Sequence, residues 1–205
     1  MKKRIFTIFF ALLIFIIPAL PLFAADGGTR LIDAADLLSQ SSERVLINKL
    51  DEISERQQVD IVVVTIESLE GESAMVYADD FYDYNGYGFG AGRDGILFLI
   101  SMEERDWYIS TTGYGITAFT DAGLEYMSEA FMGDLSEGNY AEAFTTFAEL
   151  CDDFITQART GTPYDADNLP KEPFEPVWTL VISLGAGFII SLIVTWVMRS
   201  SLKTV

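Results

Sequence analysis

Three aspartates in separate connecting segments, Asp33, Asp94 and Asp121, are the side chains of this sequence best suited to chemistry, because they could meet at one end of a sheet. Such a set would hold a hard divalent cation. Ca²⁺ takes six to eight oxygens from carboxylates, backbone carbonyls and water, loops supply all three, and Mg²⁺ draws on the same ligand types. A structural role competes at each position: Asp33 and Asp121 precede helical stretches that they could cap, and Asp94 opens a strand where it could shape a turn.

Other segments that imitate binding motifs fail on context. Gly86-Tyr87-Gly88-Phe89-Gly90-Ala91-Gly92-Arg93-Asp94-Gly95 has the glycines of a phosphate loop, but it follows a helical pattern and opens a strand, the reverse of a nucleotide site, and lacks Gly-Lys-Ser/Thr. It reads as a surface lip with aromatics between the glycines. Asp83-Tyr84-Asn85-Gly86 and Asp165-Ala166-Asp167-Asn168 each carry part of an EF-hand loop without its remaining ligands. Histidine is absent from the sequence, which removes Ser-His-Asp and Cys-His nucleophile systems and nearly all zinc sites. Cys151, the single cysteine, falls at helical spacing with Phe147 and Phe154, the position of a small core residue.

The elements that must position the aspartates follow from periodicity. Ser39, Ser41 and Ser42 offer N-caps for a helix carrying Leu46, Leu50 and Ile53 and ending near Gln57. Val59 to Ile66 is a β-branched run too continuous to be half exposed, hence a central strand. A helix around Ser73 to Tyr84 aligns Ala74, Tyr77, Ala78 and Phe81. Gly95 to Ile100 and Trp107 to Ser110 form a hairpin across a charged turn. Thr120 or Asp121 caps a helix bearing Leu124, Met127 and Phe131, and a last helix spaces Tyr140, Phe144, Phe147, Cys151 and Phe154 by four, three, four and three. The expected fold is α/β, a small mixed sheet of about four strands with helices on both faces.

Both ends of the sequence are written for a membrane. Lys2, Lys3 and Arg4, the apolar stretch Ile5 to Ile17 and Pro18 have the grammar of a secretory signal or uncleaved anchor over residues 1–25. Residues 177–198 form a 22-residue uncharged run, enough to span about 30 Å of hydrocarbon at 1.5 Å per residue. Trp178 and Trp196 stand near its ends, and Arg199 and Lys203 follow it, so the basic residues of both ends agree in placing the middle outside the cytoplasm. A domain over 26–162, an acidic Pro-rich tether over 163–176, a transmembrane helix and a short cytoplasmic tail over 199–205 are expected. Between Asp26 and Pro176, 31 carboxylates face eight Lys and Arg, leaving that part at −23. Nucleic acid is excluded as a partner, and an anionic lipid surface is disfavoured, so the domain is expected to stand off the bilayer.

Leu31-Ile32-Asp33-Ala34-Ala35-Asp36-Leu37-Leu38-Ser39, Ile61-Val62-Val63-Val64-Thr65, Gly86-Tyr87-Gly88, Gly95-Ile96-Leu97-Phe98-Leu99, Gly113-Tyr114-Gly115 and Thr120-Asp121, in that order and spacing, resemble a TPM domain. The likeness runs from Thr29 to Ala158. It implies an α/β sandwich in an exported or membrane-anchored protein and divalent-cation binding through loop carboxylates, and some members have been ascribed weak acid phosphatase activity. Asp94-Gly95 stands where many members have Asn-Gly. The resulting expectation is a membrane-tethered extracytoplasmic scaffold or interaction module that binds a divalent cation and engages membrane or envelope proteins. The alternative is a metal-assisted phosphomonoesterase.

Overall fold

The computed structural model describes residues 28–171 together with 184, 187–191, 193 and 195. The expected signal segment 1–25, most of the apolar run 177–198 and the tail 199–205 lie outside the described residues. Among the described residues no helix is long and apolar enough to cross a membrane. The chain divides into a unit ending at Leu169 and a second beginning at Pro170, of which residues 184, 187–191, 193 and 195 are helical and exposed.

The first unit runs β1 (Leu31–Asp33), α1 (Gln40–Gln57), β2 (Asp60–Ile66), α2 (Ala74–Tyr84), β3 (Gly95–Ser101), β4 (Asp106–Thr112), α3 (Tyr114–Ala118), α4 (Asp121–Glu137) and α5 (Tyr140–Ala158). The four strands lie in sequence order, β1, β2 and β3 parallel and β4 antiparallel to β3. Every residue of β2 and of β3 is buried, as strands covered on both faces must be. Helix starts follow local chemistry: the hydroxyls of Ser39, Ser73 and Thr120 accept the N–H groups of Ser42, Val76 and Gly123 at α1, α2 and α4.

Alternation along the strands feeds two cores. Ile61, Val63, Ile96, Phe98 and Ile100 face α1, α4 and α5 in the larger one, where Phe98 lies 5.0 Å from Phe147 and 4.8 Å from Phe131, ring centre to ring centre. Cys151 is fully buried there, and that burial pushes its thiol pKa well above the ordinary value, with Asp152 adding to it. On the other face Val62, Val64, Leu97 and Leu99 meet α2 alone, through Ala74, Ala78 and Tyr82. Tyr77 and Phe81 are only partly buried, so the buried line of α2 ends on Tyr82 instead of Phe81. Because α1 and α2 lie on opposite faces while the strand order advances one way, the two crossovers are of opposite hand, one of them the rare left-handed form.

The packed chain also continues beyond α5. Tyr164 lies 4.8 Å from the Phe154 ring, and its carbonyl accepts the Thr120 hydroxyl, so residues that sequence assigns to a tether seal the base of the larger core.

Candidate functional site

Strand register decides where the three aspartates go. Asp33 ends β1 opposite Thr65, which is itself opposite Ile100, near the C-terminal ends of the parallel strands. Asp94 precedes Gly95, which pairs with Asp60 at their N-terminal ends. Five residues of β3 separate those levels, about 17 Å. Asp33 and Asp94 therefore cannot bind one ion, and the expectation of a single three-aspartate cluster is corrected on that ground. Among the described residues no group of three or more His, Cys, Asp or Glu side chains gathers closely enough to hold a metal.

Asp33 is occupied locally. Its Oδ1 accepts the Leu37 N–H at 3.1 Å and the Thr65 hydroxyl at 2.5 Å, and its Oδ2 accepts the Leu38 N–H at 2.8 Å. The carboxylate closes the turn between β1 and α1, whose own cap is Ser39. Asp121 is the first residue of α4 and exposed, while Thr120 performs the capping. A carboxylate there is favoured by the helix dipole without further partners.

Asp94 sits in a different kind of setting. Its backbone exchanges hydrogen bonds with Phe89 and accepts the Asp60 N–H, closing the glycine lip onto the sheet. Its Oδ1 accepts the Tyr114 N–H at 2.7 Å, and no donor among the described residues reaches its Oδ2. Gly113, with φ of +59°, turns the chain from β4 into α3, and a Cβ there would lie 2.5 Å from the Gly92 carbonyl oxygen. At Gly115 a Cβ would collide with the Gly95 carbonyl, so α3 can approach the start of β3 only as glycine. Lip and α3 thus form one close-packed end around the Asp94 carboxylate.

Beneath it lies a buried acid that the sequence reading left without a role. Asp60, 4% exposed, accepts Arg30 Nε at 2.9 Å on one oxygen and the Gly88 N–H at 2.8 Å on the other. Arg30 also bridges Asp51 and Glu55 at 2.9 and 3.1 Å. The signal available in the sequence was a lone aspartate opening a β-branched run, with an arginine ahead of the first strand. Burial raises the Tyr82 and Tyr87 pKa values, with the Asp60 charge adding to the effect, and the Tyr87 hydroxyl is pushed up to about 12. Tyr82 donates to the Arg93 carbonyl at 3.2 Å and Tyr87 to the Thr29 carbonyl at 2.8 Å, so both act as neutral donors.

Known proteins share this fold. The profile of the TPM domain matches residues 31–154, more than half of the chain, and takes in the Asp33 turn, the lip, α3 and the α4 cap. The chain belongs to the TPM domain family. It is 28% identical over 127 residues to the UPF0603 protein YdjH of Bacillus subtilis (strain 168), covering 62% of this chain and 48% of that protein, so it spans about half the length of that relative. Its fold is similar to the solution structure of the N-terminal domain of a P. gingivalis protein, with a TM-score of 0.56 and 23% identity over 69% of this chain and 90% of that one. The N-terminal domain of the cg2496 protein from Corynebacterium glutamicum gives a TM-score of 0.51 and 21% identity over 76% and 93%.

Within this TPM domain the cation nearest Asp94 in sequence is already engaged. Arg93 donates from Nε and Nη2 to the Tyr87 carbonyl and from Nη2 to the Tyr82 carbonyl, and it pairs with Asp83 at 3.0 Å. Its φ of 52° is left-handed, a conformation that these four contacts hold in place. Arg93 builds the lip and offers little to a bound anion.

Proposed function

We propose that this chain is a membrane-tethered, extracytoplasmic binding module whose working end is the glycine lip. A divalent cation, Ca²⁺ or Mg²⁺, belongs in this reading to Asp94, with Asp121 as the second carboxylate of the same end and Asp33 excluded. The observation that supports it is the Asp94 carboxylate, half-buried, fixed through Oδ1 on the Tyr114 N–H, with Oδ2 free of donors among the described residues. Two carboxylates leave most of a cation's shell to backbone carbonyls and water, so the affinity would be modest. Tethering is supported by the uncharged run 177–198 and the basic residues that follow it. The partners in this reading are the bilayer, through that run, and neighbouring membrane or envelope proteins.

Phosphomonoester hydrolysis is the weaker reading. Phosphate sites gather several charged donors, whereas Arg93 is engaged by carbonyls and Asp83, and a domain at −23 repels a dianion. Calorimetric titration of the full-length protein with Ca²⁺ tests the proposal. Heat that disappears in Asp94→Asn and persists in Asp33→Asn is expected; no heat from the unsubstituted chain sinks the cation site. Phosphatase turnover that is lost in Asp94→Asn would restore the enzymatic reading.

A further inference from the structure

Charge is distributed unevenly over this acidic domain. Segments 84–92 and 107–120 contain no charged residue. The first is the end of α2 and the lip; the second is β4 descending to the Gly95 level and then α3. At that end Tyr84 is 84% exposed and Ile116 64% exposed, and Phe89 is half-buried on the lip. Several carboxylates of the same end are neutralised in place, Asp60 by Arg30, Asp83 by Arg93 and Asp152 by Arg56, which leaves Asp94 and Asp121 for the cation proposed above. At the opposite end, the loop after β2 carries Glu67, Glu70 and Glu72, and the β3–β4 turn carries Glu103 and Glu104.

Both chain connections leave from the weakly charged end. Gly28, the first described residue, lies against the Tyr87 hydroxyl, and Thr29 is bonded to it. α5 runs alongside α1, from Lys49 with Glu149 to Gln57 with Thr156, so it finishes at the end where β2 begins. Tyr164 then packs at Thr120, directly before α4. In sequence, only residues 170–176 separate the domain from the apolar run.

We infer that the lip end, through Tyr84, Phe89 and Ile116, rests on the phospholipid headgroup region of the membrane to which the chain is tethered. The inference rests on the tethering proposed above and names the surface that the lip meets. Tyrosine favours the interface because its ring is apolar and its hydroxyl stays wet, and an acidic domain turns its least charged end toward lipid. The expectation that the domain stands clear of the bilayer is thereby narrowed to its acidic end.

The test uses the full-length protein reconstituted into phosphatidylcholine vesicles. Ile116→Cys and, as the control, Val45→Cys on α1 (64% exposed) each receive a bimane label, while Cys151 is fully buried and does not react. Flotation reports the tether, and quenching reports orientation. The expected result is a label at 116 several-fold less quenched by aqueous iodide than the label at 45, and quenched by brominated phosphatidylcholine. Equal iodide quenching in a chain that floats overturns the inference and leaves the tether standing; a chain that stays at the bottom of the gradient overturns both. Shielding that appears only after membrane proteins are added also overturns it, in favour of a protein interface. Tyr84→Cys provides the same readout if Ile116→Cys fails to fold.

Discussion

The two ends of the sheet hold their carboxylates by different means. At the C-terminal ends of the parallel strands, Asp33 is bound by its own turn and one hydroxyl, and Glu104 by Ser101, Ser68 and the Leu69 N–H. At the lip end, Asp60 joins Arg30 to Gly88, residues that come from separate parts of the chain, and glycine-only contacts lock α3 to β3. The first end holds its carboxylates by neutral hydroxyl and backbone N–H donors, each replaceable at modest cost. The second is one cooperative assembly, and a change anywhere in it is felt by Thr29 and Arg30 ahead of β1, the lip and α3 together.

The sharpest way to break that contrast is to remove one carboxylate from each end and measure urea unfolding. Asp60→Ala leaves Arg30 and the Gly88 N–H without their buried acceptor and should cost about 3 kcal/mol. Asp33→Ala loses a turn closure and should cost about 1–2 kcal/mol. Equal losses would mean that the ends are built alike. Next in size, Gly115→Ala forces α3 away from the Gly95 carbonyl at about 2–3 kcal/mol, whereas Gly133→Ala, on a helical stretch of α4 with open space around it, should stabilise by up to about 1 kcal/mol.

Titration separates the ends further. The Ser101 hydroxyl lowers the Glu104 pKa, and Arg56 lowers that of Asp152 near the lip end. A carboxylate with a depressed folded pKa stabilises above its unfolded value and loses that contribution as pH falls through the folded one, so acid should loosen both ends. Base should not. Tyr82 and Tyr87 have raised folded values, so their contribution is complete below the unfolded tyrosine value of about 10 and is lost as pH climbs through the folded values. Hydrogen exchange should show the lip opening before the β3–β4 turn above that pH; simultaneous opening would contradict the tyrosine assignment. The smallest effect concerns binding alone: Ca²⁺ should protect lip amides in native exchange and leave those of the Asp33 turn unchanged.

Much of the fold was legible because it is written in periodicity. The β-branched run of β2, the four-three spacing of α5 and the start of α4 at Thr120 or Asp121 all sit where local pattern puts them. β1 was missed because three residues carry no period, and α3 because five residues with an internal glycine resemble a turn. The site was misassembled for a different reason. Local pattern cannot tell whether Asp33 and Asp94 fall at one end of the sheet or at opposite ends, since that depends on β1, β2 and β3 being parallel. Asp60 was visible as a residue but not as a hub, because its importance arises from Arg30 and Gly88, which only the tertiary fold brings to it.

The pairing of α1 with α5 has a consequence for how the protein is made. Lys49 meets Glu149, and Phe98 closes against Phe147, so one face of the sheet is complete only when the last helix of the domain arrives. A nascent chain that ends short of residue 158 presents that row of phenylalanine partners to whatever lies nearby, a species open to chaperones and to aggregation alike. The vulnerable interval in the synthesis of this domain therefore lasts until the final turn of α5 has been released.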